Sequence, residues 1–247
     1  ETAAASPAPR FSIVIPIHNE AEYLEAEVDE LVRELQARSV DYEMLLAENG
    51  SSDDTLAIAE RLAAANPRIQ AFHVAVPDYG AAMKEGMLKA RGRFVVNFDI
   101  DYHDIGFMLD AGDLLDETGA AIVVGSKLMA GAQDKRSPAR HAISLGFTTI
   151  LRVLFDRHID DTHGMKVLRR DIVQAFAPRT VMTQDIFDTE LIIRARRAGE
   201  VVAALPVTCE EKRKARSSIA RRIPRTMKRL LRLRLILWKE GNARARS

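Results

Sequence analysis

The sequence predicts an α/β domain built on a mostly parallel central sheet flanked by helices. Three observations carry that prediction. Short apolar runs alternate with amphipathic stretches four times in the first half of the chain. The runs read as buried strands, each followed by a polar turn. One of them, Arg93-Phe94-Val95-Val96-Asn97-Phe98, feeds straight into Asp99-Ile100-Asp101. In an open α/β sheet, ligands bind beyond the carboxyl ends of the strands, and this acidic pair stands at such an end.

Taken in order, residues 11–16 form the first strand, stopped by Pro16. Ile17-His18-Asn19-Glu20 is a turn, with Asn19 a candidate cap for a helix over residues 21–38. In that helix Leu24, Val28, Leu31, Val32 and Leu35 recur at helical spacing. Residues 42–47 are the second strand and residues 48–55 a polar turn, where Ser52 or Asp53 caps a helix over 55–66. A third strand spans 69–74, and a helix over 79–90 ends at Arg91-Gly92. Beyond the acidic pair come a helix over 106–117 and a buried strand over 120–125. Residues 131–140 are polar and read as a mobile loop, either a lid or a plain connector. An apolar helix over 141–155 covers the site or faces a membrane. A short strand over 162–168, a helix over 187–198 and a last strand over 201–209 complete the body.

Composition sets the limits. At 247 residues, 47% of them hydrophobic, the chain fits one large α/β domain or two small ones. Its single cysteine, Cys209, leaves no internal disulfide and fits a reducing, cytoplasmic compartment. Residues 1–10 are rich in Ala, Pro and Ser and are expected to be disordered, with a body over 11–210 and a tail over 211–247. Neither a signal peptide nor a run of 18 uncharged apolar residues is found, so no transmembrane helix is expected. The net charge of +1 hides an asymmetry: residues 212–247 hold 14 Lys/Arg and one acid, and the rest holds 22 basic and 34 acidic side chains.

Over residues 224–239 that tail projects as a basic amphipathic helix. Ile223, Met227, Leu230, Leu231, Leu235, Leu237 and Trp238 fall on one side, broken by Arg234. Arg221, Arg222, Arg225, Lys228, Arg229 and Arg232 fall on the other. This pattern predicts peripheral contact with an anionic membrane face. The alternative is packing on the acidic body of the same chain or of a second copy. With few aromatics and no binding motif there, nucleic acid is not expected.

For chemistry, two carboxylates one residue apart suit a hard divalent cation, Mg²⁺ or Mn²⁺, which usually also takes substrate phosphate oxygens. No Gly-x-Gly-x-x-Gly follows the first strand, which disfavours a dinucleotide. No Gly-Lys-Ser/Thr phosphate loop is present either.

Six spaced segments then resemble one family in order. Pro16-Ile17-His18-Asn19-Glu20 is similar to the Pro-x-Tyr-Asn-Glu that opens family 2 glycosyltransferases, and residues 48–55 to their Asp-Asp-Gly-Ser-Thr-Asp-Gly-Thr. Asp99-Ile100-Asp101 resembles their metal-binding Asp-x-Asp. Val124-Gly125-Ser126-Lys127, the stretch from Asp161 to Arg170 and Phe187-Asp188-Thr189-Glu190-Leu191 resemble the polyprenyl-phosphate branch, that of dolichol-phosphate mannose synthase. The resemblance covers about residues 11–219.

The resemblance implies the GT-A fold and transfer of a sugar from a nucleotide diphospho-sugar to a polyprenyl phosphate. It implies metal ligands at Asp99 and Asp101; at Tyr102-His103-Asp104 the chain leaves the family pattern, and His103 is either a third metal or phosphate contact or a surface histidine. Donor or acceptor contacts fall on Pro16, His18, Glu20, Glu48, Asn49, Asp78, Asp99, Ile100, Lys127, Lys166 and Arg213. Asp101 and Asp188 are the catalytic candidates, Asp188 as base for a hydroxyl acceptor and Asp185 as second choice. A single in-line displacement would invert the anomeric carbon. Two rivals stand beside this reading: the same fold with a soluble hydroxyl acceptor, and a non-catalytic nucleotide-sugar binding module.

Overall fold

The computed structural model describes residues 7–75, 77–135, 137–159, 161–162, 164–209 and 219–244. Its elements are β1 (Phe11–Ile17), α1 (Leu24–Ala37), β2 (Tyr42–Asn49), α2 (Thr55–Ala65), β3 (Ile69–Val74) and α3 (Tyr79–Lys89). Then come β4 (Phe94–Asn97), α4 (Ile105–Thr118), β5 (Ile122–Ser126), β6 (Gln133–Asp134), α5 (Pro138–Leu154), β7 (Lys166–Arg169) and α6 (Arg170–Phe176). Two short 3-10 turns (Ala177–Arg179 and Gln184–Ile186) lead into α7 (Phe187–Arg197), β8 (Val202–Pro206), β9 (Thr208–Cys209) and α8 (Ile219–Arg244).

Seven strands pair in the order β3-β2-β1-β4-β7-β5-β8, and only β7 runs antiparallel to its neighbours. The chain builds outward from β1 through β2 to β3, then returns to place β4 on the other side of β1. That reversal opens a crevice at the carboxyl ends of β1 and β4, where α/β sheets of this kind take ligands. Because β7 is antiparallel, its first residue, Lys166, comes to the same edge, in register with Asn97.

Strand residues alternate between two cores, as the pleat requires. Ile13, Ile15, Met44, Leu46, Phe94 and Val96 pack with α1, α2 and α4. Val14, Leu45, Val95, Ile122 and Leu168 pack with α3, α6 and α7. A third cluster joins Leu151 of α5, Met182, Ile186, Ile193 and the α8 residues Leu230, Leu233 and Leu237. The basic tail is thus seated on the body of its own chain along one stripe. Ile223, Leu231, Leu235 and Trp238 remain about half exposed on other faces of α8. No helix of the described residues is long and apolar enough to cross a membrane.

Several expectations are corrected. Asn19 does not cap α1. It adopts a left-handed backbone, φ 54°, and its Oδ1 accepts the Ser52 N–H at 2.8 Å, stapling the β1 turn to the β2 turn. Neither Ser52 nor Asp53 stands at the cap of α2, which is Asp54 and makes no side-chain cap bond; Asp53 Oδ1 accepts the Thr55 N–H at 3.1 Å from one residue earlier. β2 continues through Glu48 and Asn49, both expected in a turn, because Glu48 pairs with β1 and β3 and Asn49 with β3. The polar stretch 131–140 holds β6, paired with β9, and the start of α5. The last strand is broken at Val207 into β8 and β9. At the amino end, order begins before residue 11. The Pro9 carbonyl accepts the Arg93 N–H at 3.0 Å, and Arg10 reaches Asp113 at 2.6 Å and Asp116 at 3.2 Å.

Candidate active site

The carboxyl edge gathers charge from five strands. β4 ends at Asn97, and the next residues form a tight turn: Asp99 and Tyr102 exchange backbone hydrogen bonds of 3.1 and 3.2 Å. Asp101 stands on the corner of that turn. The part-buried Asp99 carboxylate accepts no hydrogen bond from the described residues. Burial, with Asp101 and Asp188 beside it, raises its carboxyl to about 6 against the pull of Lys166. An acid strained in this way gains from a nearby cation. Two carboxylates on one turn are hard oxygen donors of the kind that suits a divalent cation.

His103 Nδ1 is buried with no hydrogen-bond partner among the described residues. Among the described residues no three His, Cys, Asp or Glu side chains come together to hold a metal. The Asp99–Tyr102 bridge reverses the chain, and the His103 ring lies tilted against buried Phe98, centroids 6.1 Å apart. Ile100 is likewise buried, at 4% exposure, in the core beneath the turn.

Behind the acidic pair lies a closed polar cluster. Lys166, 1% exposed, meets Asp188 Oδ2 at 3.2 Å and donates to the Gly164 carbonyl at 2.8 Å. Asp188 also receives the Tyr79 hydroxyl at 3.2 Å and Asn97 Nδ2 at 3.3 Å. Burial raises the Tyr79 phenol well above its ordinary range, and Asp188 and Asp99 add to it, so Tyr79 stays a donor. Lys127 pairs with buried Asp161 at 3.4 Å.

On the β1–β2 side, Glu48 is 1% exposed. One of its oxygens takes the Ser51 N–H at 2.6 Å and the other meets His73 Nδ1. Burial pushes its carboxyl up, but the bonds from Ser51 and His73 outweigh that and hold it below the usual range. Asn49 Oδ1 accepts the Asp78 N–H at 2.6 Å. Asp78 caps α3 through the Ala81 N–H at 3.0 Å and also takes the Gln184 N–H at 2.7 Å. His18 Nδ1 lies 2.7 Å from the Asn49 carbonyl, an acceptor, so Nδ1 carries the proton. Its Nε2 then accepts from Asn19 Nδ2 at 3.1 Å. Both ring nitrogens therefore tie loops together. Pro16 sits near the end of β1, and the Glu20 N–H donates to Thr55 Oγ1 at 2.8 Å.

The edge thus brings together Glu48, Asn49, Asp78, Asp99, Asp101, Lys166 and Asp188, with Lys127 at the end of β5. Arg213 lies outside the described residues. Asp185 is turned away, onto Thr226 and Arg229 of α8. Tyr79, Asn97 and His73 are participants that sequence reading missed. Asn97 carried a signal, a polar side chain closing an apolar strand.

The family profile described as Glycosyl transferase family 2 matches residues 12–176. Glycosyltransferase AglD of Haloferax volcanii is 29% identical over 226 residues, 90% of this chain and 36% of that protein. Dolichyl-phosphate beta-glucosyltransferase ALG5A of Trichomonas vaginalis is 29% identical over 81% of this chain and 66% of its own length. Polyprenol monophosphomannose synthase of Mycolicibacterium smegmatis is 28% identical over 86% of this chain and 82% of its own. This chain therefore spans about a third of the first of these relatives and two thirds of the second. Among solved structures, mannosyl-3-phosphoglycerate synthase from Rubrobacter xylanophilus superposes with a TM-score of 0.68 at 18% identity, over 95% of this chain and 75% of that one. Glucosyl-3-phosphoglycerate synthase from Mycobacterium tuberculosis, solved with Mn²⁺, UDP and glucosyl-3-phosphoglycerate, gives 0.65 at 19% identity over 92% and 80%. These likenesses show the mostly parallel GT-A-type fold.

Proposed function

The chain belongs to glycosyl transferase family 2, and on that premise we propose that it moves a sugar from a nucleotide diphospho-sugar to a polyprenyl phosphate. The acceptor phosphate oxygen bonds to the anomeric carbon as the bond to the diphosphate breaks. The nucleoside diphosphate leaves, and one displacement inverts that carbon. Asp99 and Asp101 would hold a divalent cation, Mg²⁺ or Mn²⁺, which supplies positive charge to the leaving diphosphate. Glu48, Asn49 and Asp78 line the donor side, and Lys127 and Lys166 add cationic charge to the edge.

The observation that carries the lipid-phosphate acceptor is the condition of Asp188. A general base must be free to take a proton. Asp188 is 6% exposed and already engaged by Lys166, Tyr79 and Asn97. A lipid phosphate arrives ionised and needs orientation instead, so Asp188 acts as a positioning group that fixes Lys166. The names of the relatives support the same acceptor class. The half-exposed Leu231, Leu235 and Trp238, beside Lys228, Arg232 and Lys239, support peripheral seating of α8 on an anionic, cytoplasmic membrane face.

The test uses radiolabelled nucleotide sugars with Mn²⁺ and either a polyprenyl phosphate or a small alcohol. Label extracted with the lipid is the expected result. Label only in the alcohol product would overturn the lipid acceptor and return Asp188 to the role of base. Nucleotide binding with transfer to neither would leave a binding module.

A further inference from the structure

The segment that delivers Asp188 to the edge is held from outside, by α8. Gln184 opens the 3-10 turn that runs into α7, and its backbone is left-handed, φ 55°. A residue with a side chain keeps that conformation only where its surroundings over-determine it. Here four contacts do so. The Gln184 N–H donates to Asp78 Oδ1 at 2.7 Å. Its side-chain Oε1 receives Nη2 of Arg229. The next residue, Asp185, receives Nη1 of the same Arg229 and the Thr226 hydroxyl, the latter at 2.6 Å. The fit is close on the inner side as well. A Cβ added to Gly80, at the start of α3, would stand 2.6 Å from Gln184 N and 2.8 Å from Phe187 Cβ.

A second tie lies along α7. Arg194 makes a two-pronged pair with Glu240 of α8, at 2.8 and 3.0 Å, and reaches Glu190 at 2.7 Å. The other oxygen of Glu190 accepts the Val181 and Met182 N–H groups at 2.9 and 2.6 Å. The stretch 181–190 is therefore tied to α8 both before and after Asp188. Through Gln184 and Asp78 it also reaches Asn49, at the end of β2.

We propose that Arg229 is a positioning residue for transfer: its guanidinium fork fixes the Gln184–Asp185 turn, and through it the places of Asp188 and Asp78. The planar fork matters because two acceptors on consecutive residues are engaged at once, which a lysine's point charge does not reproduce. This rests on the transferase reading above and adds a residue outside the segments that resemble the family.

The test compares wild type, Arg229→Ala and Arg229→Lys by amide hydrogen exchange, melting temperature and steady-state transfer. In Arg229→Ala, exchange over residues 183–188 is expected to rise at least tenfold while that of β2 stays unchanged. kcat per folded molecule should fall about tenfold or more, with a smaller change in donor KM. Arg229→Lys should recover only part of both. A lowered melting temperature with unchanged kcat would make Arg229 structural only and overturn the proposal, as would unchanged exchange at 183–188. Should Arg229→Ala not fold, Thr226→Val, which removes one bond to Asp185, is read by the same measures. If wild type transfers no sugar to any acceptor, the preceding reading fails by itself. Exchange at 183–188, with the melting-temperature rise given by a nucleotide sugar, then decides whether Arg229 sets the donor side.

Discussion

Asp101 stands on the corner of a turn that Asp99 and Tyr102 close with two backbone bonds, and that geometry separates the roles of neighbouring residues. The acidic pair was legible in sequence because an apolar strand that runs straight into Asp-x-Asp must leave both acids at a sheet edge. The surroundings of His103 were not legible, since the reversal at Tyr102 that sets its ring 6.1 Å from Phe98 leaves no trace in spacing. Asp101→Ala should lower metal-dependent transfer at least about 100-fold and leave the melting temperature close to wild type, because its side chain holds no packing role. Unchanged turnover would refute the metal assignment. Tyr79→Phe is the complementary experiment. It removes the hydroxyl that donates to Asp188 at 3.2 Å while Lys166 and Asn97 remain. The expected loss is about 1 kcal/mol of stability, read by urea denaturation, with transfer kept within about tenfold. A larger fall in transfer than in stability would make the Tyr79 proton part of the chemistry.

β2 shows how one element serves two ends of the molecule. Its last residues, Glu48 and Asn49, face the ligand edge, whereas its second residue, Glu43, is buried at the opposite end. Glu43 accepts from Ser12 Oγ at 2.6 Å, from the Arg91 N–H at 2.7 Å and from Arg91 Nε at 2.8 Å. Burial pushes its carboxyl up, and the bonds from Ser12 and Arg91 prevail, leaving it below its ordinary value of 4.5. A carboxyl lowered on folding adds stability above its unfolded pKa and loses it as pH falls through the folded one. Glu43→Gln should therefore cost about 1–3 kcal/mol at pH 7, and the gap to wild type should narrow in urea denaturation below about pH 4. A constant gap across pH would mean that the charge contributes nothing. The strands themselves were readable because their apolar runs are long and bounded by turn residues. The antiparallel sense of β7 was not, since direction is set by pairing between Asn97 and Lys166, not by composition. α6 was missed because its seven residues follow β7 with no break.

At the scale of the whole molecule, α8 bears on a choice that sequence left open between a membrane element and a helix packed on the body. One stripe, Leu230, Leu233 and Leu237, is buried against α5 and α7. A different stripe, Leu231, Leu235 and Trp238, is 49, 59 and 56% exposed. A helical wheel drawn from sequence put Leu230 and Leu237 together with the exposed residues, because the apolar arc is wide and only tertiary contact divides it. The division makes removal of the whole helix a poor test, since that would also uncover the third core. Separate variants give opposite expectations. Leu233→Ala should cost about 2–5 kcal/mol of stability as a cavity in that core and leave binding to anionic vesicles unchanged. Replacing Leu231, Leu235 and Trp238 together by Ser should leave the melting temperature nearly unaltered and weaken vesicle binding about tenfold or more, because binding scales with the apolar area that enters the interface. Sedimentation with vesicles containing an anionic lipid, at low and high salt, reads both. If the triple variant binds as wild type does while Leu233→Ala melts early, α8 is a structural strap alone, and the exposed stripe has another occupant.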